Sequence, residues 1–228
     1  MQVSFIIPVY NEGATIGEVL ERVEALGLDK QLIIVDDGSV DATAGIVDAW
    51  AASHADTVVL HQRNRGKGAA IRAAIPHVEG EIAIIQDADM EYDPAEVPQV
   101  IEPIVRGVAD VVFGSRLSGG RPQRAYLFSH LVANRILSLL TNVLFNTTLT
   151  DIETGYKALR ADVLRSLDLR GERFAIEPEI AAKVCKRGLR VYELPISYYG
   201  RTYAEGKNIT WRDGVKAVVM LLRVRISG

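Results

Sequence analysis

Ile82-Ala83-Ile84-Ile85-Gln86-Asp87-Ala88-Asp89 is the stretch on which the architecture turns. Its four apolar residues are too short a run for a helix and suit a strand buried on both faces. The run ends on two carboxylates two residues apart, which in an extended chain project to the same side. The same pattern recurs on either side of it. Residues 3–8, 32–35, 58–60 and 111–114 are further short apolar runs, each closed by polar residues. Helical spacing fills the intervals: Ile16, Val19, Leu20, Val23 and Leu26 follow a capping box of Thr15 and Glu18. Asp41 caps a helix reaching about Ala52, the turn at 64–68 opens another, and 94–105 is helical. Such alternation predicts an α/β fold, a mostly parallel central sheet with helices on both faces. Right-handed crossovers bring the carboxyl ends of the strands to one edge, where ligands of open sheets bind. Tyr10-Asn11-Glu12, Asp36-Asp37, Arg65-Gly66-Lys67-Gly68, Asp87-Ala88-Asp89 and Ser115-Arg116 all fall at that edge.

The second half is less regular. Residues 127–149 carry a broad apolar face, and 151–160 read as a polar loop around Gly155. Residues 177–187 form a helix with Pro178 in its first turn and Gly188 as its stop. A strand at 191–194 and an amphipathic helix at 213–226 follow. No repeat, low-complexity tract or linker divides residues 1–228, so one domain is expected. At 48% hydrophobic and 24% charged, the chain is too apolar for disorder. A formal net charge of -3 argues against nucleic acid as a partner, which would call for a basic surplus. A single cysteine, Cys185, allows no internal disulfide. The opening MQVSFIIPVYNEG lacks the basic start of a signal peptide. No run reaches the ~18 uncharged apolar residues of a spanning helix. The expectation is a soluble or peripheral protein of the cytoplasm.

Asp87 and Asp89, with Glu91 two residues on, form an oxygen-donor set suited to Mg²⁺ bridging to a diphosphate. In isolation a solvated acidic turn would show the same letters; the strand before them favours the metal. Asp36-Asp37-Gly38-Ser39 is equally an acceptor for a nucleoside and an Asx-type turn closing its strand. Lys67, at a helix start, either meets a diphosphate or occupies a surface turn. There is no Walker A loop, no GxGxxG after the first strand and no GxSxG elbow, and the four histidines lack metal-ligand spacing.

Taken in order, Ile7-Pro8-Val9-Tyr10-Asn11-Glu12, Val35-Asp36-Asp37-Gly38-Ser39 with Asp41, Asn64-Arg65-Gly66-Lys67-Gly68 and Asp87-Ala88-Asp89 resemble the motifs of family 2 glycosyltransferases of GT-A fold. The resemblance implies a nucleotide-diphosphate sugar as donor, with 1–116 as the donor-binding half and 117–228 as the acceptor-binding half. By position, Pro8, Tyr10, Glu12 and Asp37 would line the base pocket, while Lys67 and Asp87 would meet the donor. Asp89 would be the principal ligand of Mg²⁺ or Mn²⁺, helped by Asp87 and Glu91. Further on, Gly114-Ser115-Arg116, then Asp151, Thr154, Gly155, Tyr156 and Lys157, then Arg201 with Gly206-Lys207 are similar to the polyprenyl-phosphate branch, the dolichyl-phosphate mannose and glucose synthases. That branch implies inverting transfer of a hexose, of GDP-mannose or UDP-glucose type, to a polyprenyl phosphate. Arg116 and Arg124 would hold the acceptor phosphate, and Asp151 would orient the acceptor or the sugar. Arg201 and Lys207 would close over the donor, so Asp89, Asp151, Arg116 and Arg201 would carry catalysis. Glu91 stands where many members have Gln, and the C-terminal transmembrane helices of many members have no counterpart in this sequence.

Two rivals stay open. One is transfer to a polysaccharide or other soluble acceptor, for which Asp151 or Glu153 would be wanted as base. The other is a non-catalytic nucleotide-sugar-binding protein. A lipid acceptor requires peripheral membrane contact, and two faces suit it: that on 127–149, and that of Val215, Val218, Val219, Leu222 and Ile226 flanked by Lys216, Arg223 and Arg225. Two core helices packing on each other would show the same pattern. A homo-oligomer also stays open.

Overall fold

The computed structural model describes residues 1–125, 127–202 and 211–227. Strands β1 (Val3–Val9), β2 (Lys30–Asp36), β3 (Thr57–His61), β4 (Ile82–Ile85), β5 (Val111–Ser115), β6 (Lys157–Arg160) and β7 (Val191–Pro195) form one sheet in the order β3-β2-β1-β4-β6-β5-β7. β1 pairs in parallel with β2 and β4, and β2 with β3. β5 and β7 are also parallel, while β6 runs antiparallel between β4 and β5. The helices are α1 (Ile16–Glu24), α2 (Thr43–Ser53), α3 (Lys67–Ala74), α4 (Val97–Val105), α5 (Phe128–Phe145), α6 (Ala161–Ser166), α7 (Ile176–Lys186) and α8 (Trp211–Ile226). They lie on both faces of the sheet, as the alternation predicts.

All of β1 is buried. Ile6 joins Ile33, Ile71 of α3 and Ile180 of α7 in one core, whereas Phe5 and Ile7 join Leu20 of α1, Val47 of α2 and Val100 of α4 in the other. Burial on two sides is why the strands read as unbroken apolar runs instead of alternating ones. It also leaves the strand ends as the places where polar side chains can gather.

Three expectations meet the structure here, and the first two are corrected. The segment 151–160 is not all loop, because Lys157–Arg160 is β6. Lys157 hid it: a lysine inside a short strand breaks the apolar run. Here its stem is fully buried, its Nζ lies 4.8 Å over the Phe113 ring, and it donates to the carbonyls of Ile152 and Thr154. Thr15 stands at the N-terminus of α1 but makes no capping bond, and its Oγ1 donates instead to Ala88 O at 2.8 Å. Finally, α5 is 18 residues long with mean hydropathy 1.2, enough by length and composition alone to cross a membrane. One arginine, Arg135, breaks the uncharged run without lowering that average much. Its apolar face is not all core either: Leu137 is buried, but Phe128, Leu139 and Val143 are 79%, 63% and 74% exposed.

Candidate active site

The ends of β1, β2, β4 and β5 open into one cleft of about 610 Å³. Pro8, Tyr10, Glu12, Asp37, Lys67, Asp87, Asp89, Glu91, Arg116 and Arg201 line it. Asp151 and Arg124 do not, and Lys207 lies outside the described residues.

On the β1–β2 side the backbone is tied by side chains. Asn11 takes a left-handed φ of 54°, donates from its N–H to Ser39 Oγ at 2.9 Å, and accepts from Val40 N at 2.8 Å. Asp37 is buried, and its carboxylate accepts from Arg65 N at 2.9 Å and from Gly66 N and Gln62 Nε2 at 2.6 Å. It thereby shapes the loop into α3 while facing the cleft. Asp36 pairs instead with Ser39 N and His61 Nδ1, both at 3.0 Å. Burial opposes its ionisation, but those bonds hold its carboxyl below the usual range.

Acids crowd the end of β4. Asp89 Oδ1 accepts from Glu91 N and Oδ2 from Arg201 Nη2, both at 3.1 Å. Arg201 also forks onto the Glu12 carboxylate at 2.9 and 2.7 Å. Burial, and then the charges of Asp87 and Glu91, push the Asp89 carboxyl up to about 7, with Arg201 pulling the other way. Glu91, expected to help with a metal, is engaged elsewhere: Oε1 accepts from Arg201 N at 2.6 Å and Oε2 from Tyr198 Oη at 2.9 Å. It pins the segment 198–201. Among the described residues, no three Asp, Glu, His or Cys side chains converge as a metal cage. Asp87 and Asp89 still fit a hard cation that binds through one or two carboxylates and completes its shell with diphosphate oxygens.

Lys67, expected to meet a diphosphate, lines the cleft with its amine on two carboxylates. Its Nζ bridges Asp87 Oδ1 at 2.6 Å and Glu177 Oε1 at 2.8 Å. Burial works against its charge, and the two carboxylates outweigh it and raise the pKa. Gly155 is the wall of this arrangement: a Cβ there would land on Asp87 Oδ2 and lie 2.9 Å from Lys67 Nζ. Gly155→Ala should part Lys67 from Asp87 and, as overpacking, cost about 1–3 kcal/mol. Melting temperature and turnover should both fall; if neither moves, the wall has room.

Asp151, expected to orient the acceptor or the sugar, lies behind the cleft lining. It is fully buried, and its Oδ2 and Oδ1 accept from Arg116 Nε and Nη2 at 2.6 and 2.8 Å. Asn134 Nδ2 donates to Oδ1 at 2.6 Å, and Arg116 N to Oδ2 at 3.0 Å. Burial would raise its pKa, yet the Arg116 charge prevails and holds it below the ordinary range. Asp151 thus holds Arg116 in place and does not itself line the cleft. The Arg116 guanidinium also lies 5.1 Å from the Tyr198 ring centre, so it is fixed on two sides. Arg124 Nη1 donates to Gly200 O at 2.9 Å, outside the cleft lining.

Sequence reasoning read Glu177 only as the start of a helix, and passed over Tyr92 and Tyr198. All three line the cleft. Glu153, considered only as a base for an alcohol, lines it too, and burial followed by the Glu177 charge pushes its carboxyl up to about 8.

The mostly parallel sheet, with carboxylates and guanidinium groups gathered at its strand ends, has the GT-A architecture. The fold resembles that of glucosyl-3-phosphoglycerate synthase from Mycobacterium tuberculosis, solved with Mn²⁺, UDP and glucosyl-3-phosphoglycerate. The TM-score is 0.75 at 21% identity, covering 98% of this chain and 79% of that one. The chain belongs to glycosyl transferase family 2, whose family model it matches over residues 4–168. It is 30% identical to an undecaprenyl-phosphate mannosyltransferase of Micrococcus luteus, over 91% of this chain and 87% of the relative. It is 27% identical to a dodecaprenyl-phosphate galacturonate synthase of Rhizobium johnstonii, over 91% of this chain and 62% of the relative. Family membership sets aside the non-catalytic reading.

Proposed function

We propose that this glycosyltransferase moves a hexose from a nucleotide-diphosphate sugar, of GDP-mannose or UDP-glucose type, to a polyprenyl phosphate with inversion, using Mg²⁺ or Mn²⁺. The observation that carries this reading is that acids fit for a cation and guanidinium groups fit for phosphates share one cleft. The two relatives named for polyprenyl phosphates support it.

Pro8, Tyr10, Glu12 and Asp37 receive the nucleoside, with the exposed ring of Tyr10 offering a face to the base. Asp89 and Asp87 hold the cation, which when bound neutralises charge growing on the departing diphosphate. Arg116, made rigid by Asp151 and Tyr198, holds the acceptor phosphate in line with the anomeric carbon. An acceptor-phosphate oxygen forms the new bond to that carbon, and the bond to the diphosphate breaks with its electron pair on the leaving group. Phosphate is already an anion, so no base is required; a free Asp151 would have no task. Arg201, now on Glu12 and Asp89, belongs to the segment that covers the donor.

The membrane contact is peripheral and on the cytoplasmic face. Ile136, Leu139 and Val143 of α5 and Val219, Leu222 and Ile226 of α8 are exposed apolar residues, and Arg223 and Arg225 flank the second set. Each such arginine adds ~1 kcal/mol at an anionic surface, an attraction that salt screens. The test is incubation with Mn²⁺ and GDP-mannose, UDP-glucose or UDP-GlcNAc, with and without undecaprenyl phosphate in anionic liposomes. Lipid-linked sugar should form, and the protein should sediment with the liposomes less as salt rises. Leu139→Asp with Val143→Asp should lose sedimentation without losing stability, because both side chains face solvent.

A second reading is transfer to a hydroxyl of a soluble acceptor. Glu153 favours it, since a cleft carboxyl near 8 is matched to general-base work around neutral pH. Turnover on a soluble sugar with no liposome binding would select it.

A further inference from the structure

His61 closes β3 and does not line the cleft. Its ring stands between two carboxylates: Nδ1 lies 3.0 Å from Asp36 Oδ2, and Nε2 lies 2.9 Å from Asp48 Oδ1. Those are the charged groups that face it, one from β2 and one from α2. A neutral imidazole carries a single N–H and would turn a lone pair on its second acceptor, so only the imidazolium can donate to both. The bond to Asp36, then that to Asp48, raises the pKa above its ordinary value against the opposing effect of burial.

Two routes lead from this ring to the nucleoside end of the cleft. Asp36 is buried, and its other oxygen accepts from Ser39 N at 3.0 Å. Ser39 Oγ accepts in turn from Asn11 N at 2.9 Å, between the lining residues Tyr10 and Glu12. Gln62, the next residue after His61, donates from Nε2 to Asp37 Oδ1 at 2.6 Å, and Asp37 lines the cleft.

We propose that His61 is a positioning residue for the donor: as an imidazolium clamped between Asp36 and Asp48 it fixes the ends of β1 and β2 that receive the nucleoside, so donor affinity follows its protonation. This rests on the donor reading above. Loss of the proton breaks one of the two bonds and leaves a lone pair against a carboxylate. The sign is defined. The clamp is complete below the ordinary imidazole value near 6.5 and is lost as pH rises through the higher folded value. By linkage, a bound nucleotide raises the His61 pKa in return.

Titration calorimetry with Mg²⁺ and GDP or UDP, from about pH 6 to about 8.5, compares wild type with His61→Gln, whose amide does not titrate. Asp89 and the diphosphate ionise in this range in both proteins alike, so the ratio of affinities isolates the histidine. Wild type should bind about threefold tighter at the acid end, and the advantage should fade as His61 loses its proton. Asp48→Asn removes one carboxylate from an exposed position outside the cleft lining, and should move that fade to lower pH. A merely structural histidine would show no such displacement. Saturating nucleotide should raise the His61 midpoint, read by NMR of the imidazole, by about half a pH unit, the counterpart of threefold in affinity. Failure of GDP, UDP and their sugar nucleotides to bind would overturn the donor reading, and this inference with it. An affinity ratio constant with pH, or a His61 midpoint that nucleotide leaves unmoved, overturns the inference and leaves the donor reading standing. The midpoint is measured on the wild-type protein, so it decides whether or not His61→Gln folds.

Discussion

Asp89→Asn should lower sugar transfer by about a thousandfold and leave the melting temperature of the metal-free protein unchanged or raised. The rate loss follows from the role proposed for Asp89 as principal oxygen ligand of the cation, a contribution of several kcal/mol, and ~4 kcal/mol is a factor of about 10³. The stability follows from what surrounds the carboxylate. Asp89 is partly buried at the cleft wall, faces the like charges of Asp87 and Glu91, and shares Arg201 with Glu12. An amide in its place removes repulsion and can still accept from Glu91 N through its carbonyl oxygen. Transfer assays beside differential scanning calorimetry check both halves. Activity within a few-fold of wild type would remove the cation from Asp89.

Asp151→Ala should do the opposite and damage the fold as well as the chemistry. Breaking a buried ion pair by deleting one member costs about 3–5 kcal/mol, because the charge left behind is uncompensated. At ~2–4 °C per kcal/mol for a chain of this size, melting should fall by about 6–20 °C. Arg116 would lose its fork and the Asn134 carboxamide its acceptor. The pH dependence has a defined sign. The carboxyl is lowered in the folded protein, so the stability it confers is complete above its unfolded value near 4 and is lost as pH falls through the folded value. Wild type and variant should therefore converge in stability below about pH 4. Parallel acid-unfolding curves with no convergence would show that Asp151 does not anchor Arg116.

Strands β1 to β5 were legible because each announces itself as a short apolar run, β1, β2, β4 and β5 by burial on both sides and the edge strand β3 by partial burial. The cleft was legible for a related reason: in such a sheet polar residues are admitted at strand ends, so Tyr10, Asp37, Asp87, Asp89 and Arg116 could be placed together. What escaped was pairing across long separations. Nothing near Lys67 in the chain discloses that its amine meets Asp87 and Glu177, and nothing near Asp151 discloses that Arg116 takes both its oxygens. The engagement of Glu91 was hidden for the same reason, since its partners Tyr198 and Arg201 lie in the other half. β6 escaped because a buried lysine is indistinguishable, as a letter, from an exposed one.

β6 stands between β4 and β5 in space but follows both in sequence, and this orders events on the ribosome. A nascent chain that has emerged only through β5 holds β4 with one edge bare, and a bare edge recruits other chains. Closing it waits for Lys157–Arg160 to insert between two strands made earlier, a non-local pairing of the kind that slows folding. The strand left waiting for an inner partner is the one that ends in Asp87 and Asp89, and Gly155, which shapes the surroundings of Asp87, is delivered with its missing neighbour. The growing chain is thus a template for aggregation before it is a binding site, and a chaperone or rapid synthesis of the second half protects the catalytic strand as much as the fold.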